Sequence, residues 1–305
     1  MLISTLLDWD VRGIRALAHR LPGWLLPKPE EACIIRTGYA FWLQIDPVKD
    51  DGVERSLYYT GTYEKGVLAI MAKVLGAGDH FVDVGANIGL MSIYASLLVG
   101  DEGRVTAFEP NPETAAILEE NIALNECPNI KVSRMAMGSK AGKAVIYDNW
   151  DSNRGSASLV KPEQEAGSHE IQVGTLSEFF TTSSEENAAN RVGFPGRKNT
   201  LIKLDIEGYE LEALKGAGDI LNADRPPMLV VECSETRENE GGYTPTDLYN
   251  FLTSAGRYRI FTGRKDKSRV SRLVEITSPE DLPMHDNIWC FTPDHIRQLD
   301  SRIFH

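Results

Sequence analysis

The sequence predicts an α/β fold: a doubly wound, mostly parallel sheet with an antiparallel final strand, preceded by an N-terminal helix and strand extension. Three observations carry this. From residue 80 onward, short apolar runs alternate with segments of helical periodicity, the pattern of βαβ units. The runs "HFVDV", "TLIKL" and "MLVVE" are nearly continuous in apolar residues, as strands covered on both faces must be. The last two runs, "RYRIFTG" and "NIWCFTP", follow one another without a clear helix between them, so the sheet should close antiparallel.

The elements follow in order. Leu7, Val11, Ile14, Ala18 and Leu21 fall at helical spacing before Pro22 and Gly23, which predicts an amphipathic helix. "ACIIRTGYAFWLQID" is rich in β-branched and aromatic residues and reads as one or two strands; "DPVKDDGVERS" reads as a polar turn region. A helix is expected from about Glu64 to Leu75, stopped by Gly76 and Gly78. Then come a strand at "HFVDVG", a helix at "IGLMSIYASLLVG", a strand at "RVTAFEP" and a helix at "PETAAILEENIALN". "NIKVSRMAM" reads as one strand, and "KAVIYD" and "HEIQVGTL" as two more. The pattern continues with strand "TLIKLDIEG", helix "YELEALKGAGDIL", strand "PPMLVVECS" and a Thr-capped helix "TPTDLYNFLTSAG". The stretch 181–199 is polar, broken by Gly and Pro, and reads as a long loop. We divide the chain into an extension over 1–60 and a ligand-binding domain over 61–305.

Composition excludes some functions. Thirty-two basic against 44 acidic residues leave a net charge of −12, the wrong field for a nucleic-acid binder. Arg264, Lys265, Lys267, Arg269 and Arg272 cluster and read as a solvated loop. Cys33, Cys127, Cys233 and Cys290 form no CxxC pair, so neither zinc nor a disulfide framework is expected, and the cytoplasm is the expected compartment. Asp8, Asp10, Arg12 and Arg15 break the N-terminal apolar runs, so no transmembrane segment is expected there. The amphipathic helix should pack on the domain or on a second copy in a homodimer.

Three motifs carry chemistry. In "FVDVGANIGL" a strand ends at Val84, and Gly85-Ala86-Asn87-Ile88-Gly89 leads into a helix. Ligands of doubly wound sheets bind at such strand ends. Gly85 and Gly89 allow a turn and a close backbone approach. Asn87 stands where a dinucleotide fingerprint has its second glycine. Asp83 would repel a phosphate and attract an ammonium or sulfonium group. Glu109, 20 residues past Gly89 at the end of the next strand, suits a ribose diol. In "IKLDIEGYE", Asp205 and Glu207 lie at a strand end and Glu232 at the end of the following one; any of them can act as a general base or position a hydroxyl. His169 is a weaker candidate base, in a strand-like segment. Trp150, Asn153, Arg154 and Ser156, in the loop 149–160, have the chemistry to hold a sugar.

"GTYEKG", "FVDVGANIGLMSIYAS", "VTAFEPNPETAAILEENIALN" and "LIKLDIEGYELEALKGA" occur in that order over roughly 60–235. Together they resemble the FkbM-type S-adenosylmethionine-dependent methyltransferases. The resemblance implies a seven-stranded class I methyltransferase fold and O-methylation, often of a sugar hydroxyl on a glycan or natural product. It implies that Asp83, Gly85, Asn87 and Gly89 line the methionine part of the cofactor, that Glu109 holds the ribose, and that Asn111 approaches the adenine. Met135 and Ala136 would flank the adenine, and Glu64 would reach the cofactor's amino group or else cap its own helix.

In-line methyl transfer depends chiefly on orientation, and a hydroxyl acceptor needs a base. We expect Asp205 in that role, with Glu207 and Glu232 as alternates. A divalent metal, for which Asp205, Glu207 and Glu232 would be the ligands, is allowed by the chemistry but not expected. The rival readings are an NAD-dependent oxidoreductase, disfavoured by Asp83 and the missing glycines, and a non-catalytic cofactor-binding protein.

Overall fold

The computed structural model describes residues 29–147, 167–181, 199–234, 242–255 and 257–305. The expected N-terminal helix, the loop 149–160 with Trp150, Asn153, Arg154 and Ser156, and nearly all of the loop 181–199 lie outside these residues. The chain enters through a hairpin of β1 (Cys33–Arg36) and β2 (Trp42–Ile45), then α1 (Val53–Thr60) and α2 (Lys65–Val74). Helix α1 arises within the stretch read as a polar turn. Asp50 makes it helical by accepting the N–H groups of Gly52 and Glu54 at 2.9 and 3.1 Å.

The alternation then begins: β3 (His80–Val84), α3 (Leu90–Val99), β4 (Arg104–Phe108), α4 (Pro112–Leu124) and β5 (Ile130–Ser133). Helix α4 is started by Asn111, whose Oδ1 accepts the N–H groups of Glu113 and Thr114, with Pro112 in the first turn. After β5 come β6 (Met135–Met137), β7 (Gly142–Tyr147), β8 (Ser168–Gly174) and α5 (Leu176–Thr181). "NIKVSRMAM" is therefore two strands, not one. β5 ends the main sheet, while β6 pairs with β8, and β8 with β7, in a separate three-stranded sheet.

The main sheet resumes with β9 (Thr200–Leu204), followed by short helices α6 (Glu210–Lys215) and α7 (Gly218–Leu221), then β10 (Met228–Ser234) and α8 (Pro245–Ala255). The single helix expected over "YELEALKGAGDIL" is two, parted at Gly216, where a Cβ would stand 2.0 Å from the Gly138 carbonyl oxygen. β11 (Arg259–Gly263), β12 (Leu273–Ile276), β13 (His285–Phe291) and α9 (Pro293–Gln298) complete the chain.

The spatial order is β12-β11-β13-β10-β9-β3-β4-β5. β10, β9, β3, β4 and β5 are mutually parallel. β13 lies between β10 and β11 and runs antiparallel to both, as the absence of a crossover helix predicts. Among the described residues the sheet has eight strands rather than seven, because "LVEI" adds β12 antiparallel to β11.

Alternation divides the buried side chains between two faces. Val82, Val84, Ile202, Leu204, Leu229 and Val231 pack in one cluster. Phe81, Leu201, Met228 and Val230 pack in another, with α2. On that second face each central strand turns from apolar to ionisable at its C-terminal end: Phe81 to Asp83, Leu201 to Lys203 and Asp205, Val230 to Glu232.

The extension shares a core with the sheet domain. Ile35, Leu43, Ile45 and Leu57 cluster with Ile88, Leu90 and Ile93. Asn121, fully buried on α4, accepts the Gln44 N–H at 2.6 Å and donates to the carbonyls of Gln44 and Ile88 at 3.2 and 2.9 Å. Asn125, one turn on, accepts the Trp42 N–H at 2.8 Å and donates to its carbonyl at 2.7 Å. Two amides on one helix thus pair with the edge of β2.

Candidate active site

Four neighbouring parallel strands each deliver a carboxylate at the carboxyl end of the sheet: β10 Glu232, β9 Asp205, β3 Asp83 and β4 Glu109. They border a cleft that is also lined by Glu64, Gly85, Asn87, Met135, Ala136 and Glu207. Of the residues expected at the site, Gly89 and Asn111 are not among the lining residues. Gly89 adopts φ +96°, and a Cβ on it would stand 2.6 Å from Leu118 Cδ1, so its small size serves the packing of α3 against α4. The Asn111 side chain is occupied in capping α4. His169 sits on β8, outside the lining residues.

Gly85 lies in the cleft wall, yet a neighbouring strand end dictates it. With φ +85°, it would place a Cβ 2.0 Å from the Asp205 carbonyl oxygen. The loop then turns left-handed at Asn87, φ +48°. The Asn87 N–H donates to Glu109 Oε2 at 2.9 Å, and the Asn111 N–H donates to Glu109 Oε1 at 3.0 Å. Each oxygen of Glu109 keeps a lone pair for a further donor. Burial pushes its carboxyl up to about 7 against these two hydrogen bonds.

Asp83 is 1% exposed; its Oδ2 accepts the Ser92 hydroxyl at 2.6 Å, and its Oδ1 has no partner. Burial lifts its carboxyl to about 6, opposed by Lys203 and Ser92. The Asn87 Oδ1 is also buried and unpartnered. Buried polar atoms without partners are costly and rare, and these two border the same cleft.

Lys203 faces Asp83 across the ladder and reaches Asp205 Oδ2 at 2.7 Å. Burial alone would raise the Asp205 carboxyl, but Lys203 and Lys267 hold it well below the usual carboxylate range. Asp205 also shares a hydrogen bond with Glu232. The Glu232 carboxyl is pushed up to about 8, first by the Asp205 charge, then by burial, with Lys267 opposing. The two carboxyls are thus driven apart, Glu232 toward holding a proton and Asp205 toward giving one up.

Glu64 starts α2 at φ +44°, but its side chain makes no capping hydrogen bond. Its Oε1 instead meets Lys267 Nζ at 2.8 Å, and the same ammonium lies 3.3 Å from Glu232 Oε1. Lys267 is thus a cleft residue, not part of a solvated basic loop. Sequence reasoning missed this because Lys267 lies 35 residues past Glu232, among four other basic residues of the same loop. Tyr63 and Tyr209, both in the cleft wall, carried no local signal. Among the described residues no group of three or more His, Cys, Asp or Glu is placed to hold a metal ion. Glu207 turns the next loop at φ +59°, while Glu210 accepts the N–H groups of Ile206 and Gly208 at 2.9 and 3.2 Å.

A family model described as the methyltransferase FkbM domain matches residues 83–260. The chain belongs to the FkbM methyltransferase family. Its parallel sheet with one inserted antiparallel strand is the class I methyltransferase fold. Among curated relatives, this FkbM-family chain is similar to methyltransferase sdnD of Sordaria araneosa, 27% identical over 172 residues that cover 48% of this chain and 62% of sdnD. It is similar to hexuronic acid methyltransferase AglP of Haloferax volcanii, 26% identical over 193 residues, 63% of this chain and 69% of AglP. Among solved structures, methyltransferase FkbM from Methylobacillus flagellatus KT aligns at 18% identity and TM-score 0.41, covering 77% of this chain and 52% of that one. The FkbM-family chain thus spans less than two thirds of sdnD and about half of the M. flagellatus protein.

Proposed function

We infer that the chain is an S-adenosylmethionine-dependent O-methyltransferase acting on a hydroxyl of a sugar, glycan or glycosylated natural product. The supporting observation is the row of four strand-end carboxylates, with two buried oxygens, Asp83 Oδ1 and Asn87 Oδ1, left without partners beside it. Anionic and acceptor-rich, this wall suits a cationic ligand rather than a pyrophosphate. The spare lone pairs of Glu109 suit a ribose diol. When bound, the cofactor would supply an activated methyl group on a sulfonium. Asp83 and Asn87 would hold its methionine part, Glu109 its ribose, and Met135 and Ala136 would border its adenine.

The chain's own contribution to transfer is orientation and proton removal. Asp205, ion-paired and of low proton affinity, is the weaker base of the pair; Glu232 is the stronger. The proton of the acceptor hydroxyl passes to the Glu232 carboxylate. Each acid of this pair has a lysine for counter-ion, so the reading needs no divalent metal. A sugar acceptor is supported by family membership and by AglP, whose name specifies hexuronic acid. Four free cysteines are compatible with the cytoplasm. No helix among the described residues is long and apolar enough to cross a membrane.

The test incubates the chain with methyl-labelled S-adenosylmethionine and a panel of neutral sugars, uronic acids and glycosides. Label recovered as a methyl ether, matched by S-adenosylhomocysteine, is expected. Binding of NADH with no binding of S-adenosylhomocysteine would replace this reading with the oxidoreductase one.

A further inference from the structure

The loop from Arg264 to Arg272, between β11 and β12, carries five basic residues. From Arg264 to Val270 every residue is exposed except Lys267, which turns inward. Its placement is built into the backbone. The Arg264 N–H donates to the Arg272 carbonyl at 3.0 Å, the Arg269 N–H to that of Asp266 at 2.9 Å, and the Gly66 N–H to that of Lys267 at 2.8 Å. A Cβ at Gly66 would stand 2.8 Å from the Lys267 carbonyl oxygen and 2.6 Å from that of Arg269. Loop and helix α2 therefore meet backbone to backbone, two residues past Glu64, and the Lys267 ammonium spans Glu64 and Glu232.

We propose that Lys267 is a positioning residue: by bridging Glu64 and Glu232 across the cleft it sets a cation against the Glu232 carboxyl, favouring its ionised form and fixing it in place to take the acceptor's proton. This rests on the methyl-transfer reading above. In the step itself, the acceptor O–H bond breaks and its proton bonds to a carboxylate oxygen of Glu232. Glu232 is faced by Asp205 from the end of β9, Glu210 from α6 and Lys267 from the loop. Tyr63, ahead of α2, and Tyr243, ahead of α8, also interact with it. Lys267 alone of these is cationic. Without it, the charge of Asp205 and the burial of Glu232 act unopposed, and the proton stays on Glu232 to higher pH.

The test needs no acceptor. The chain is prepared with glutamate labelled with carbon-13 at the side-chain carboxyl, and the Glu232 signal is identified as the one lost in Glu232→Gln. Its titration is followed by NMR in the wild type, Lys267→Met, Lys267→Arg and Lys265→Met. Lys267→Met should raise the Glu232 midpoint by about one pH unit or more, the scale of one close charge pair. Lys267→Arg and Lys265→Met, an exposed neighbour, should leave it within about 0.3 unit. An unmoved midpoint in Lys267→Met overturns the proposal, as does an equal shift in Lys265→Met. If Lys267→Met does not fold, Glu64→Gln decides. Freed from its second partner, Lys267 should lower the Glu232 midpoint, and no change would overturn the proposal. Failure here leaves methyl transfer standing, since that reading is tested separately by S-adenosylhomocysteine binding and by methyl-ether formation.

Discussion

At the scale of residues, the cleft is made of groups that are uncomfortable without a ligand. Asp83 and Glu109 are buried, and burial lifts both carboxyls, to about 6 and about 7. A carboxyl raised by folding binds its proton more tightly in the native state. Its contribution to stability is therefore complete below the ordinary carboxylate range and is lost as pH rises through about 6 for Asp83 and about 7 for Glu109. Asp83→Asn removes the charge and keeps the shape. It should stabilise the ligand-free chain at pH 8 by about 1–2 kcal/mol in chemical denaturation, while weakening S-adenosylhomocysteine binding at least about tenfold. A loss of stability would mean that the buried charge is compensated in the free chain. Glu232 makes a kinetic prediction. In its proposed role as proton acceptor it must be ionised, so kcat/KM should climb with pH through about 8; a profile flat from pH 6 to pH 9 would remove it from that role. These acids were legible because each closes an apolar run. Lys267 was not, because nothing local separates it from its exposed neighbours; only the fold of its loop does so.

At the scale of elements, the site depends on strand ends that approach at backbone distance. Gly85 is the sharpest case, since a side chain there meets both a left-handed φ and the Asp205 carbonyl. Gly85→Ala should cost about 3 kcal/mol or more in thermal or denaturant unfolding, beyond the usual Gly→Ala strain at positive φ; a cost under about 1 kcal/mol would show that β3 and β9 can separate freely. Asn121 plays the corresponding part for the extension, where Asn121→Ala removes three hydrogen bonds, one buried and two partly buried. We expect a loss of about 2–4 kcal/mol. The sequence made β3, α3, β4, α4, β9 and β10 readable, since the strands are apolar runs and the helices follow a glycine or a capping Asn. It concealed α1, whose polar run is organised by Asp50, and β12, a four-residue edge strand with little pattern of its own. The join inside "NIKVSRMAM" was hidden as well, because β5 and β6 share one composition and differ only in their partners.

At the scale of the whole molecule, strand order does what no single motif can. Residues 64, 83, 109, 205, 232 and 267 are dispersed over two thirds of the chain, and winding β9 and β4 to either side of β3 brings their ends together. A strand-and-helix alternation predicts such a crevice, which is why the principal acids could be read before the fold was known. It does not predict which lysines neutralise them. The net charge of −12 is carried partly into the cleft, and this favours a cationic cofactor over a dinucleotide. The most direct measurement is calorimetric titration of S-adenosylhomocysteine into the chain and into Asp83→Ala, with NADH as comparison. We predict one site per chain, binding weakened at least about tenfold by Asp83→Ala, and no heat from NADH. Unchanged binding in Asp83→Ala, or binding of NADH alone, would contradict the assignment of the cleft.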